Sequence, residues 1–236
     1  MAVLWSNQLR WYVGAYDLST ATTRSSVMLH SPALDKTVYV DASESSSPDV
    51  RRDEVEWAGL FEDGTRGLDA LIGTLIGTRG DMLSYVVGTA TGARAYCGTV
   101  GIMAIKPGAR LGELVRVEGT FKPDGLFDPT RHFGPSQVVT TAGTSGTIGD
   151  GAASTGTHRL FVHVFRLGGA GTFIVNLQDA ATAVYADVAG ATASFTAIGS
   201  TAIQFTGTLR ANTKLNWTFN AGSGSTDFFG AYRRSG

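Results

Sequence analysis

Four histidines, one cysteine and a pair of glutamates are the residues whose types and spacing could do chemistry. The histidines are His30, His132, His158 and His163. His158 and His163 lie five apart along one strand-like run, and an odd offset puts them on opposite faces of a strand. They cannot jointly hold a metal from a regular strand. His163, between Val162 and Val164, reads as a half-buried polar residue rather than a ligand. Glu54 and Glu56 share one strand face, where two carboxylates could do acid–base work if a pocket raised one pKa. The plainer reading is a solvated strand face. Cys97 is the only cysteine, set in an apolar run, and reads as a small buried hydrophobe. Asn216-Trp217-Thr218 matches a glycosylation sequon, which is read as chance. The glycines of Ile76–Gly80 (IGTRG) lack the strand–glycine–helix order of a dinucleotide site and read as a helix stop and a turn. There is no phosphate loop, no GxSxG and no HExxH. Residues 136–236 hold only Asp150, Asp179, Asp187 and Asp227 as acids, too few for a hydrolase cleft. No catalytic, cofactor-binding or metal-binding residue is assigned, no cofactor is expected, and the chain reads as a non-enzyme.

Composition narrows the class. Of 236 residues 31 are Gly, about 13% against a typical ~7%, and 17% are charged against a typical ~25%. The 19 basic and 20 acidic residues leave a net charge of -1, without the basic excess of a free nucleic-acid binder. Apolar residues at 43% exclude a disordered chain. One cysteine excludes an intrachain disulfide framework and a multi-cysteine zinc site. Met1–Arg10 shows neither a basic region nor an apolar run of signal-peptide length. No stretch approaches the ~20 apolar residues of a membrane span. Synthesis and folding in a cytosol, with no membrane partner, are therefore expected.

The elements that must position these residues are strands. Residues 10–16, 24–30 and 82–87 are short apolar runs. In 54–61, Val55, Trp57 and Phe61 point one way, Glu54 and Glu56 the other. Residues 95–106 are apolar on both faces. In 114–122, Val115, Val117 and Phe121 face one side, and Arg116, Glu118, Thr120 and Lys122 the other, as in a sheet with one buried face. Leu68, Leu71, Ile72, Leu75 and Ile76 predict one amphipathic helix over 66–76, with Thr65 as N-cap and Gly77 as stop. The polar stretch 41–53 reads as a long mobile loop. Residues 160–167, 172–178, 193–198, 202–209, 214–220 and 227–232 are strands punctuated by turns, as in an all-β sandwich or jelly roll.

Charge divides the chain. Residues 1–135 hold 16 acidic and 13 basic residues, net -3; residues 136–236 hold 4 and 6, net +2. A Gly-, Ser- and Thr-rich stretch, 134–157, lies at the join, so two domains are expected, 1–135 and 136–236. Trp57 and Trp217 read as core. Trp5, Trp11 and Tyr12 crowd the N-terminal region, and such an apolar end needs a surface to bury it. It either folds back on its own domain or docks on a neighbouring subunit, and the neighbour is the favoured reading.

The order of features over roughly 1–128 resembles the tail tube (major tail) proteins of long, non-contractile-tailed bacteriophages. An early strand leads to Asp17-Leu18-Ser19. Two strands and a polar loop precede EVEWAGLFEDG (54–64) and the helix. AYCGTVGIMAIKPGARLGELVRVEGTFKPDG (95–125) then closes the set, with Gly112-Glu113-Leu114-Val115 opening an alternating strand. Residues 136–236 resemble the galactose-binding-like β-sandwich modules appended to phage tail proteins, through LFVHVFRL (160–167), FIVNLQDA (173–180) and the end FFGAYR (228–233). The resemblance implies a mainly β protein, a tail-tube sandwich or barrel with one packed helix followed by an all-β sandwich on the tube exterior. It implies hexameric rings stacked into a hollow virion tail through which DNA passes, assembled in the host cytoplasm. The partners implied are copies of itself, the tape measure protein, tail tip and tail terminator proteins, and double-stranded DNA sliding weakly through the lumen. A near-neutral or acidic inner wall would let DNA slide, and loop 41–53 is a candidate for contact with the next ring. The alternative is a minor tail or adhesion protein whose C-terminal sandwich binds host-surface glycans; no sugar-binding residue carries over.

Overall fold

The computed structural model describes residues 9–30, 33–35, 46–48, 52–60, 81–108, 116–123, 127–169, 171–220 and 224–235. Among them the chain is all-β and contains no helix. The strands, in chain order, are β1 (Leu9–Val13), β2 (Tyr16–Asp17), β3 (Thr22–His30), β4 (Ala33–Asp35), β5 (Ser46–Pro48), β6 (Arg52–Leu60), β7 (Asp81–Val87), β8 (Arg94–Gly108), β9 (Arg116–Pro123), β10 (Asp128–His132), β11 (Gln137–Val139), β12 (Gly143–Thr144), β13 (Ile148–Gly149), β14 (Ser154–Gly168), β15 (Thr172–Ala180), β16 (Ala186–Phe195), β17 (Gly199–Leu209), β18 (Asn212–Asn220) and β19 (Ser225–Arg233). The helix expected over 66–76, and Trp5, lie outside the described residues.

The chain forms two compact units. One comprises Met1–Thr20, Asp81–Thr99 and Asp128–Gly236; the other comprises Ala21–Gly80 and Val100–Phe127. The join expected near residue 135 falls inside the first unit. The charge balance does change there, but backbone pairing runs straight across it. Arg131 and His132 pair with Tyr232 and Ala231, and Gln137–Val139 pair with Thr226–Phe228. The Gly-rich stretch is likewise paired, Gly143 against Trp217 and Ile148 against Thr213. A Cβ on Gly143 would sit 3.0 Å from the Trp217 ring, so glycine here serves close approach rather than looseness.

In the first unit one sheet runs in the order β17-β14-β19-β10-β8-β7-β1-β2, and a second runs β12-β18-β15-β16, with β13 on β18. Strand β14 is buried on both faces. Leu160, Val162 and Val164 enter a core with Phe173, Val175, Leu177, Leu215, Trp217 and Phe228. Phe161 and Phe165 enter another with Tyr12, Met82, Val86, Cys97 and Phe229. A strand covered on both sides reads as a continuous apolar run rather than an alternating one, which accounts for LFVHVF. Full burial of each such side chain contributes roughly 1.5–3 kcal/mol.

Trp11 and Tyr12 correct the expectation of a docked N-terminal end. Both are fully buried within their own unit. Strand β1 pairs antiparallel with β7 from Leu9↔Val87 to Val13↔Leu83. The Tyr12 ring lies 4.8 Å from both Phe165 and Phe229.

The second unit holds an antiparallel sheet in the order β3-β6-β9-β8, the last strand contributing Val100–Gly108. Alternation is as expected: Val55, Trp57, Val117 and Phe121 are buried, while Glu54, Glu56, Arg116, Glu118 and Lys122 are exposed. Trp57 Nε1 donates to Thr22 Oγ1 at 2.7 Å and the ring covers Gly59. A methyl at Gly59 would overlap that ring and lie 2.6 Å from the Ala21 carbonyl oxygen. The stretch 41–53 is not wholly loop. Ser46–Pro48 pair with Ala33–Asp35, and β6 begins at Arg52. Pro48, which has no N–H to donate, sits at the end of this two-stranded ladder.

Candidate functional site

The histidines are structural. His158 and His163 stand on opposite faces of β14, as the odd offset requires, and both are fully buried. His158 accepts from the Ser235 N–H at Nδ1 (3.0 Å), and its Nε2 lies 3.1 Å from the Gly207 carbonyl. His163 is wholly rather than half-buried, and it ties β14 to β7 and to the turn between β1 and β2. Its Nδ1 is 2.7 Å from the Gly14 carbonyl and its Nε2 is 2.8 Å from Ser84 Oγ. Ser84 Oγ lies 3.1 Å from Cys97 Sγ, which is 3.2 Å from Thr130 Oγ1.

Proton positions along this row follow from the acceptors. A carbonyl only accepts, so His163 Nδ1 carries the hydrogen. Burial pushes the imidazole down to about 4, so the ring is neutral and Nε2 accepts from the Ser84 hydroxyl. Burial raises the Cys97 thiol to about 11, so it stays protonated and is no nucleophile. A serine within hydrogen-bond reach of a histidine has the geometry of an activated nucleophile. Here both side chains are sealed from solvent and the row acts as a polar bolt through an apolar core. Cys97 is the buried small residue its sequence setting predicts.

The remaining sequence candidates are dispersed. Glu54 and Glu56 lie on the solvent face of β6, with Ser26 Oγ 3.4 Å from Glu56. Asn216 and Thr218 are half-buried in β18 on either side of the buried Trp217, whose Nε1 donates to the Thr141 carbonyl at 3.0 Å. The His30 side chain lies outside the described residues. His132 is buried, accepts from the Gly134 N–H at Nδ1 and is shifted down by burial. Among the described residues no three His, Cys, Asp or Glu side chains come together as a metal site.

Two arginine-rich clusters went unseen in the sequence. In the first, Arg159 and Arg233 stand directly opposite on β14 and β19. The buried Asp128 lies 3.4 Å from one and 3.3 Å from the other, offsetting the like-charge contact. In the second, the half-buried Asp150 accepts from Arg234 at 2.6 Å and from the Tyr232 hydroxyl, and Arg131 stands 3.5 Å away. Arg234 also donates to the carbonyls of Ala152, Leu209 and Arg210. Burial, and after it the Asp150 carboxylate, hold the Tyr232 phenol well above its ordinary range. The only legible signal was scarcity: four acids across 136–236 against a closing Arg233-Arg234 pair.

The second unit presents a different surface. Strand β3 pairs with β6 on one side, and no second strand pairs with it among the described residues. Met28 on this strand is 57% exposed. The solvent face of the sheet carries Arg24, Glu54, Glu56, Lys106, Arg116, Glu118 and Lys122. Among the described side chains, four cations stand against three anions.

No protein-family model matches the chain, and no curated protein does. Among solved structures it is similar to the tail of an empty gene transfer agent particle refined with C6 symmetry, at TM-score 0.42 and 14% identity over 54% of this chain and 98% of that one. It is similar to the SPP1 tail tube at TM-score 0.43 and 8% identity, over 55% and 78% of the two chains. It is similar to the SPP1 Dit protein, described as a hub of the adsorption apparatus of phages infecting Gram-positive bacteria, at TM-score 0.33 and 16% identity over 95% and 99%.

Proposed function

We propose that this chain is a structural subunit of a phage-type tail, a tail tube protein that closes into hexameric rings and stacks them into a hollow tube for DNA passage. The observation that carries the reading is the sheet β3-β6-β9-β8 of the second unit. Among the described residues it has one apolar face, one solvated face of nearly balanced charge, and a nine-residue edge strand with an exposed methionine. An open edge of this length is an aggregation hazard for a free monomer. In a ring the neighbouring copy adds its own strand and the hazard becomes the joint. A balanced face makes few net phosphate contacts, so a polyanion beside it slides rather than sticks. The order of motifs over 1–128 supports the same reading, and the burial of His163, Ser84 and Cys97 is what a structural rather than catalytic use of these groups requires.

Sedimentation velocity on the purified full chain tests it. The expected result is a species of six chains, or multiples of six, growing with concentration. Replacement of Val27 by proline on β3 should shift the boundary to single chains with the fold retained, because proline removes a ladder donor and is tolerated only at edges. A sharp monomer at all concentrations contradicts the proposal.

A further inference from the structure

The second arginine cluster differs from the first in one respect. Arg94 on β8 and Arg131 on β10 stand directly opposite, and Arg131 in turn pairs with Tyr232 on β19. Arg94, Arg131 and Arg234 line one cavity of about 180 Å³ with Asp150 as its sole acid. Arg159 and Arg233 are bridged by a carboxylate that reaches both. Asp150 reaches Arg131 and Arg234, and Arg94, which is exposed, forms no ion pair among the described residues. Opposed like charges on neighbouring strands are destabilising, and here three guanidinium groups line one cavity with a single carboxylate. Arg94 also borders a second, larger cavity of about 550 Å³ lined by Val87, Ala90, Ala93 and Tyr96. Arg94 and Tyr96 lie two apart on β8 and share a face, with the Tyr96 ring stacked on Tyr85 at 6.3 Å.

We propose that this paired cavity binds an anionic saccharide. A carboxylate or phosphate on the sugar would bridge Arg94 and Arg131, and the sugar ring would occupy the apolar cavity beside Tyr96. Planar guanidinium forks match an oxyanion in two-pronged fashion. An apolar cavity with a few convergent polar groups is the usual form of a small-ligand site. A net surplus of two positive charges is too small for a nucleic acid, whose binders neutralise roughly 6–10 phosphates, and Asp150 would repel the phosphates on either side. The site goes beyond the tail-subunit reading and does not depend on ring assembly.

Isothermal titration calorimetry with the full chain tests it. The probes are a galacturonic acid tetrasaccharide, a phosphorylated maltotetraose, uncharged maltotetraose and a short oligo-dT. One or both anionic sugars should bind, with the uncharged sugar about tenfold weaker or more. The carboxylate and phosphate arms distinguish the two oxyanions. Arg94→Gln should lose about tenfold in affinity with a melting temperature equal to or above the parent's, since among the described residues Arg94 has no ion pair to lose and the change removes a like-charge contact. Arg94→Lys, which keeps the charge and loses the fork, should fall between, and Arg166→Gln, on another surface, should bind as the parent does. Binding of neither anionic sugar, equal binding by Arg94→Gln, or oligo-dT binding as tight as the sugars would overturn the proposal.

Discussion

Replacing Asp150 by alanine should cost about 3 kcal/mol of folding stability, because it strips a largely covered cation of its counter-charge. The Arg234 side chain is 15% exposed and that of Asp150 8%, so water cannot replace the lost partner at either end. Three carbonyl acceptors would remain for Arg234, which places the cost at the lower end of the range for a broken buried pair. The Tyr232 hydroxyl would also lose the acceptor that fixes it. Since Asp150 ties residues after β13 to the end of β19, the loss should appear as loosening of the C-terminal residues in hydrogen exchange as well as a lower urea midpoint. Asp150→Asn should recover part of the loss through the Tyr232 contact alone. A midpoint within a few tenths of the parent would show that the cluster is a surface arrangement of little weight.

Stability should also fall as the solution is acidified from pH 7 to pH 5, by about 2 kcal/mol, through His163. The unfolded imidazole takes up a proton near its ordinary 6.5, whereas burial holds the folded ring at about 4. Between those values the unfolded state binds more protons, so stability rises with pH across the window and is progressively lost as pH falls through it. Over the full window the loss approaches about 3 kcal/mol. His132, shifted down by the same cause, adds loss in the same direction. Urea midpoints at several pH values measure this. His163→Gln should be less stable at pH 7 yet show a flatter dependence, because its side chain does not titrate. Equal slopes in parent and variant would remove His163 as the source.

The strands were legible where one face meets solvent. Val55 and Trp57 against Glu54 and Glu56, and Val117 and Phe121 against Arg116, Glu118 and Lys122, show a period of two that burial follows residue by residue. In LFVHVF the period vanishes, yet the length of the run and its flanking glycines still mark a strand. Pairing was not legible. Nothing local says that Tyr12 will pack on Phe165 and Phe229, so an N-terminal aromatic pair looked like an interface. Nothing local says that residues 131–139 will hydrogen-bond to 226–232, so a change in charge looked like a domain boundary. The Arg94–Arg131 contact joins residues on separate strands, and its meaning depends on which carboxylates fail to reach it. Burial alone turns the Ser84–His163 contact from reactive geometry into a bolt.

Negative-stain electron microscopy of the purified full chain at high concentration tests the central claim, that this fold is a ring-forming tail subunit. The account predicts rings with six-fold symmetry and a central channel, stacking into tubes of regular axial repeat. A field of single particles without rings, or rings that never stack, would contradict it.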